Sequence, residues 1–279
     1  MPKLSIITVN LNNAVGLEKT IKSVINQTYK DFEFIIIDGG STDGSSDLIK
    51  NYEKEINYWI SEKDDGIYAA MNEGIKQANG EYCLFLNSGD YLFDKYVFTN
   101  VFLLNPCKDI VYGNMIIDSG DTQQMGLSPE RITLNHLLKD TLWHPVSFIK
   151  RQLFDKVGYY DTSYLISGDY DFFLKAFIKY NCSQQHINIV ISVFNLQGIS
   201  SKHDFADLVR NERNLTQINN LDSKVIDLYN ELNNQIQDLK QASILLQSSY
   251  NKLLNSKTYK LVNLLKKNLL NPIFSVFKK

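Results

Sequence analysis

Residues 65–90 read DGIYAAMNEGIKQANGEYCLFLNSGD. Residues 69–78 have helical composition and spacing, Gly80 stops the helix, and Tyr82 to Leu86 form an apolar strand. The strand ends at Asn87 and delivers Ser88, Gly89 and Asp90 into a polar turn. The same unit recurs towards the N-terminus. LSIITVN (4–10) runs into Asn10, Asn12 and Asn13, and a helix from about Val15 to Asn26 follows with Leu17, Ile21, Val24 and Ile25 at helical spacing. FEFIIID (32–38) ends at Asp38 and enters GGSTDGS, whose Ser and Asp residues suit a helix start. A further strand is expected near Tyr58 to Ser61, before Asp64 and Asp65.

Strand, helix and strand in alternation with short joints predict a parallel, right-handed, doubly wound α/β sheet. The run FIII suits a strand covered on both faces. Open sheets of this kind bind ligands beyond the carboxyl ends of their strands, where Asn10, Asp38, Asn87 and Asp90 fall. Carboxylates there do not attract a bare diphosphate. They hold a cation that does, or they grip ribose and base edges. DGGSTDGS has neither the GK[ST] of a P-loop nor GxGxxG. Its leading Asp38 suits a uracil N3–H or a ribose hydroxyl, and a plain helix-capping turn is the alternative.

Hydrophobic residues make up 44% of the 279, enough for a sizeable core. A net charge of −2 gives no general attraction to nucleic acid. Cys83, Cys107 and Cys182 are widely spaced and form no CxxC pair, so neither a disulfide framework nor a zinc site is expected, and a reducing compartment fits. The first strand starts at once, with no signal peptide expected, and no apolar run reaches ~18 residues.

Residues 91–205 are expected to continue the same sheet. The pattern predicts helices at 96–104 and 134–138, strands near IVYGNMII and over WHPVSFI (143–149), and a helix in YDFFLKAFIKY. HINIVISVFNL (186–196) is a strand or a pair of strands. From about Asp207 the character changes, so the tail is assigned to 206–279. Val225, Leu232, Leu239, Leu246 and Leu253 recur every seven residues, while Gln235, Ala242 and Ser249 weaken the companion seam. This is a long helix that either packs on the domain or pairs with a second copy. No acid follows Asp238, and KTYKLVNLLKKNLLNPIFSVFKK (257–279) mixes lysines with apolar residues. Such a segment suits peripheral contact with an anionic membrane at its cytoplasmic face.

Taken in order, SIITVNLNN, the Ser23-Val24-Ile25-Asn26-Gln27 helix end, FEFIIIDGGSTDGS, DGIYAAMNEGI, ANGEYCLFLNSGD, HPVSFIKRQLFDKVGYYD and SGDYDFFLK resemble the family 2 glycosyltransferases over roughly residues 3–200. The likeness is strongest to the branch acting in bacterial surface polysaccharide synthesis (capsule, exopolysaccharide, O-antigen), such as colanic-acid-type enzymes. It implies a GT-A fold, a nucleoside-diphosphate-sugar donor (a UDP-sugar foremost) and inverting transfer to a saccharide acceptor; the basic tail is the sequence support for an acceptor that is lipid-linked at the membrane face. It implies donor contacts from Asn10, Asn12, Asp38, Asp65, Gly66, Asn72 and Asn87. Asp90 matches the last acid of the family's metal-binding region, implying Mn2+ or Mg2+. Asp171 matches the base position best, with Asp169 next. His144 and Trp143 match an acceptor or diphosphate contact, and a structural role is open for both. His203 lies in a stretch that would close over the donor.

The chain departs from that pattern. Relatives have an Asp where Asn87 stands and often another at Gly89. Many carry an Arg at Met71, for which Lys76 is a substitute. A non-catalytic subunit that keeps the fold and oligomerises through its tail is the alternative reading. A sugar-1-phosphate nucleotidyltransferase is disfavoured, because NLNNAVGLEK lacks the Gly-rich basic loop that class needs.

Overall fold

In the computed structural model, residues 1–196 and 205–265 are described. They form two units, Met1–Asn220 and Leu221 onward. The first unit is built on one mixed sheet. Its strands are β1 (Leu4–Asn10), β2 (Phe32–Asp38), β3 (Tyr58–Ser61), β4 (Tyr82–Phe85), β5 (Tyr91–Leu92), β6 (Ile110–Asp118), β7 (Gln123–Gly126), β8 (Ser147–Lys150) and β9 (Gln184–Asn195). They lie in the order β3-β2-β1-β4-β8-β6-β9-β5, with β7 paired to β6. β3, β2, β1 and β4 are parallel, as expected from their helical crossovers. β8 is antiparallel to both β4 and β6, so the second half makes the sheet mixed.

The helices of this unit are α1 (Ala14–Ile25), α2 (Ser45–Asn51), α3 (Ile67–Gln77), α4 (Val97–Leu103), α5 (Leu134–Leu137), α6 (Gln152–Val157), α7 (Gly168–Leu174) and α8 (Ala206–Asn220). Strand periodicity sorts them to the two faces. Leu4, Ile6, Phe34, Ile36, Tyr82 and Leu84 pack in one cluster with Leu17, Ile21 and Val24 of α1 and Val97, Phe98 and Val101 of α4. Ile7 and Phe85 point the other way. A side chain on Gly74 of α3 would strike the Ile7 side chain at 2.4 Å, so α3 lies close on that face. Phe85 meets Phe154 of α6, which stacks on Phe172 of α7. Each such fully buried side chain contributes ~1.5–3 kcal/mol, which holds the strand ends in fixed register.

Some local expectations change. WHPVSFI is not strand throughout: His144–Val146 form one 3-10 turn, with Pro145 near its start, before β8 begins at Ser147. YDFFLKAFIKY changes from α7 into a π-helical turn over Lys175–Lys179. HINIVISVFNL is a single strand, β9.

The helical region is divided. α8 belongs to the sheet unit, which runs to Asn220, whereas the sequence reading begins the tail at residue 206. The second unit holds α9 (Ser223–Asn255) and α10 (Lys257–Leu265). Asp222 caps α9 by accepting from the Lys224 N–H at 2.8 Å, and an extended Ser256 separates the two helices. The heptad residues Leu239, Leu246 and Leu253 are exposed. Among the described residues no helix is long and apolar enough to cross a membrane.

Candidate active site

The carboxyl ends of β1, β2 and β4 converge with the turn after β3 and the start of α7. Asp38 ends β2 and is fully buried. It accepts hydrogen bonds from Asn10 Nδ2 (2.6 Å), Ser41 Oγ (2.6 Å), Ser41 N–H (2.9 Å) and Ser61 Oγ (2.6 Å). Burial pushes its pKa up, and these donors overcome that and hold it below the ordinary value. With four bonds in place, Asp38 shapes the turn. Asn12 joins it, accepting from the Thr42 N–H at 2.9 Å, and its own N–H donates to Ser41 Oγ at 2.7 Å. Asn10 Oδ1 remains buried without a partner and is the acceptor left over in this corner.

Gly39 and Gly40 follow Asp38. A side chain on Gly39 would lie 2.8 Å from Asp64 Oδ2, so the Asp64 carboxylate stands where that side chain would be. Its Oδ1 accepts from the Gly66 N–H at 3.0 Å. Asp65, the residue singled out from sequence, is exposed. Asp64 is therefore the acid beside the β2 turn. The family resemblance pointed to Asp65, whereas the Asp64-Asp65 doublet by itself does not rank its members. Gly66, at φ +110°, leads into α3.

Asn72 sits in α3 and is occupied by backbone. Its Nδ2 donates to Tyr160 O (2.8 Å) and its Oδ1 accepts from Tyr160 N–H (3.0 Å), which joins α3 to the loop after α6. Met71 is core, and Lys76 pairs with Glu73 at 3.2 Å. Trp143 packs against the core, and its carbonyl accepts from Ser147 Oγ at 2.6 Å.

The turn after β4 carries Asn87 and Asp90, closed by Asp90 N–H donating to Asn87 O at 3.0 Å. Thr20 of α1 donates through Oγ1 to Asp90 O (2.6 Å) and accepts from the Gly89 N–H (3.1 Å). Asp90 is 5% exposed. Burial pushes its pKa up to about 7, and the Asn195 N–H, bound at 3.0 Å, offsets only part of that. Asn87 Oδ1 is buried without a hydrogen-bond partner. A buried carboxylate and an unpartnered amide oxygen in one short turn are hard oxygen donors, the set that Mg2+ or Mn2+ takes. Among the described residues no three His, Cys, Asp or Glu side chains are grouped as a metal cage. The residues thus fit a cation that draws the rest of its shell from phosphate oxygens and water.

From this turn a chain of polar contacts runs to α7. Asn87 Nδ2 lies 3.2 Å from His144 Nε2, and His144 Nδ1 lies 3.2 Å from Asp169 Oδ2. Asp169 Oδ1 accepts from the Tyr170 N–H (2.8 Å) and lies 3.3 Å from Tyr68 Oη. Tyr68 also donates to Ile166 O. Burial, and then the charge of Asp169, raise the Tyr68 pKa well above its ordinary value, so it stays a donor. The matching tautomer has N–H at His144 Nδ1 and a lone pair at Nε2 that accepts from Asn87. This is the tautomer that leaves Asn87 Oδ1 free.

The two acids of α7 have different surroundings. Asp169 and His144 side chains are 15% and 17% exposed. Asp171 is 3% exposed at its side chain, and it accepts from Lys175 Nζ (2.6 Å) and Asn220 Nδ2 (3.2 Å). Burial raises its pKa and Lys175 pulls it back. Asp171 thus ties α7 to α8. His136 and His186 lie in ordinary structural bonds, to Thr141 O and Asn114 Oδ1. His203 and residues 266–279 lie outside the described residues.

A sheet with this strand order and acids at its carboxyl edge defines a GT-A glycosyltransferase fold. The chain belongs to glycosyl transferase family 2, whose signature matches residues 5–167. It is 30% identical over 204 residues to the PGL/p-HBAD biosynthesis glycosyltransferase of Mycobacterium bovis, covering 71% of this chain and 78% of that one. It is 36% identical over 122 residues to the GalNAc(5)-diNAcBac-PP-undecaprenol beta-1,3-glucosyltransferase of Campylobacter jejuni, covering 42% of this chain and 40% of that one. Among solved structures, S. aureus TarS 1–349 in complex with UDP-GlcNAc superposes with a TM-score of 0.63 at 20% identity, over 81% of this chain and 70% of that one. The match spans 36% of the longer TarS chain.

Proposed function

We propose that this glycosyltransferase moves a sugar, with inversion, from a UDP-sugar to a hydroxyl of a lipid-linked saccharide in bacterial surface polysaccharide synthesis. The observation that carries the reading is the Asn87–His144–Asp169 contact chain, which joins the turn of Asp90 to a carboxylate that is 15% exposed. In this reading the nucleoside lies over the β2 turn, with Asn10 Oδ1 and Asp64 presenting acceptors to the base and ribose. Asp90 and Asn87 would hold a divalent cation, which would neutralise charge on the departing diphosphate.

Asp169 takes the proton. The acceptor oxygen forms a bond to the anomeric carbon as the bond from that carbon to the diphosphate breaks. The hydroxyl proton passes to the Asp169 carboxylate, and an α-linked donor yields a β-glycoside. His144 orients Asp169 and keeps Asn87 Oδ1 turned away from its ring. This reverses the order expected from sequence, where Asp171 came first, because the Asp171 side chain is only 3% exposed and its charge is taken up by Lys175 at 2.6 Å, whereas Asp169 keeps 15% exposure.

The lipid-linked acceptor is supported by the polyprenol-linked saccharide named for the Campylobacter relative. Peripheral membrane contact is supported by α10, which carries Lys257 and Lys260 beside exposed Leu261, Val262, Leu264 and Leu265. Pairing of α9 with a second copy is supported by its charges. After Lys224 at its start, α9 carries Asp227, Glu231 and Asp238 ahead of Lys240 and Lys252, so antiparallel helices bring most of their unlike charges together.

Calorimetric titration with UDP, with and without Mn2+, tests the donor half. Binding that strengthens with Mn2+ is expected. Silence towards UDP, GDP, dTDP and CDP alike would leave the non-catalytic reading standing.

A further inference from the structure

The buried carboxylate of Glu212 lies on α8, beyond the end of the family signature at residue 167. Its Oε1 accepts from the Leu165 N–H (2.7 Å), and its Oε2 from the N–H groups of Ile166 (3.0 Å) and Ser167 (2.8 Å). Three successive backbone donors wrapped on one oxygen pair form an anion nest, filled here by the chain's own side chain. The nest lies immediately before α7. Ser167, which precedes α7, makes no side-chain capping bond, so it is Glu212 that satisfies the amides leading into this helix.

The same loop is held from the other side by Tyr68. Its hydroxyl donates to Ile166 O and lies 3.3 Å from Asp169 Oδ1. A shift of residues 165–167 therefore moves the Tyr68 hydroxyl and Asp169 together. Further along α8, Gln217 Nε2 donates to Tyr170 Oη (2.9 Å), and Asn220 donates to Asp171. Glu212, Thr216 and Asn220 stand four apart, on one helical face. Asp171, with Asn220, completes the tie.

We infer that Glu212 is a positioning residue for transfer: by gathering the amides of residues 165–167 it sets the Asp169 carboxylate against His144. The inference rests on the reading of Asp169 as the proton acceptor, but its geometry can be measured apart from turnover. Misplacement of a catalytic group by ~1 Å is enough to cost about 100-fold in rate.

The test compares wild type, Glu212→Gln and Asp169→Ala by the ring-proton NMR resonance of His144 Nδ1–H, with Mn2+-dependent UDP release from a panel of UDP-sugars as a second readout. Gln keeps the shape but puts an amide N–H2 among the backbone donors. Glu212→Gln is expected to move or broaden the His144 resonance towards its state in Asp169→Ala. It should also lower turnover by roughly 10-fold to 100-fold, with UDP affinity within about twofold. A His144 resonance unchanged from wild type in Glu212→Gln would overturn the inference. A moved resonance together with full turnover in Asp169→Ala would uphold the positioning and reject Asp169 as the base. Should Glu212→Gln not fold, Glu212→Asp, which keeps the charge on a shorter arm, is read by the same resonance.

Discussion

His144 Nδ1 lies 3.2 Å from Asp169 Oδ2, and this contact joins the 3-10 turn before β8 to the first turn of α7. It pairs two side chains 25 residues apart in sequence, and it separates Asp169 from its near neighbour Asp171.

Asp169→Asn and Asp171→Asn should therefore differ in kind. Asp169→Asn is expected to lower kcat by about 100-fold or more while UDP affinity is kept. Asp171→Asn is expected to keep most turnover per folded molecule and to lose roughly 1.5–3 kcal/mol of stability, because a buried charge-assisted bond to Lys175 goes. Denaturant melts beside steady-state rates separate the two. A normal rate in the Asp169 variant, with a dead but folded Asp171 variant, would reinstate the order expected from sequence.

Asn87→Asp should raise Mn2+ affinity, by adding a second carboxylate where Asn87 Oδ1 has no partner. Gly89→Asp should not. Gly89 has φ +105°, a left-handed backbone in which a side chain is strained, and a Cβ there would meet Asn13 Nδ2 at 3.3 Å. Calorimetric titration of each variant with Mn2+ gives the comparison, and equal affinity in Asn87→Asp and wild type would remove Asn87 from the cation's shell.

Asp90 predicts a pH dependence in EDTA. Its folded pKa of about 7 stands above the ordinary value near ~3.9, so unfolding releases a proton between the two. The stability it contributes is present below about pH 4 and falls as pH rises through about 7. Asp90→Asn removes that slope. The melting temperature of the variant minus that of wild type should grow from pH 5 to pH 8 and then level, and Mn2+ should restore wild type alone. A constant difference across this range would mean that Asp90 titrates normally.

Nucleotide binding should divide Asp64 from Asp65. Asp64→Asn is expected to weaken UDP binding by roughly 10-fold, the loss of one charge-assisted bond. Asp65→Asn should bind as wild type does. The reverse ranking by calorimetry would return Asp65 to the site.

The thiols should also divide. Cys107 is exposed, Cys83 is buried with its pKa pushed up to about 12, and burial raises that of Cys182. Native protein at pH 8 should take up one maleimide per chain, and denatured protein three. Fast labelling of a second thiol would show that one of the two buried sites opens.

Much of this was legible in the chain. The four parallel strands, the polar turns after β1, β2 and β4, and Asp38 and Asp90 at strand ends follow from apolar runs that must stop where backbone turns. Such signals are local, and neighbouring residues carry them. The antiparallel placement of β8, the 3-10 turn at His144 and the attachment of α8 were not legible, since each depends on contacts far apart in sequence. Glu212 shows this best: in sequence it is one acid on a polar helix, and only the loop it gathers gives it a role.

What the sequence determined by itself was the order of elements and the edge of the sheet at which acids collect, because a strand's length and its stop are written in its own residues. Tertiary structure decided which contacts each member of an acid pair makes. Residues two apart on a helix point roughly 200° apart, so Asp169 and Asp171 cannot share a side, and the packing of α7 against α8 selects Asp169. In the turn after β3 no period exists to read. The space left by Gly39 decides for Asp64.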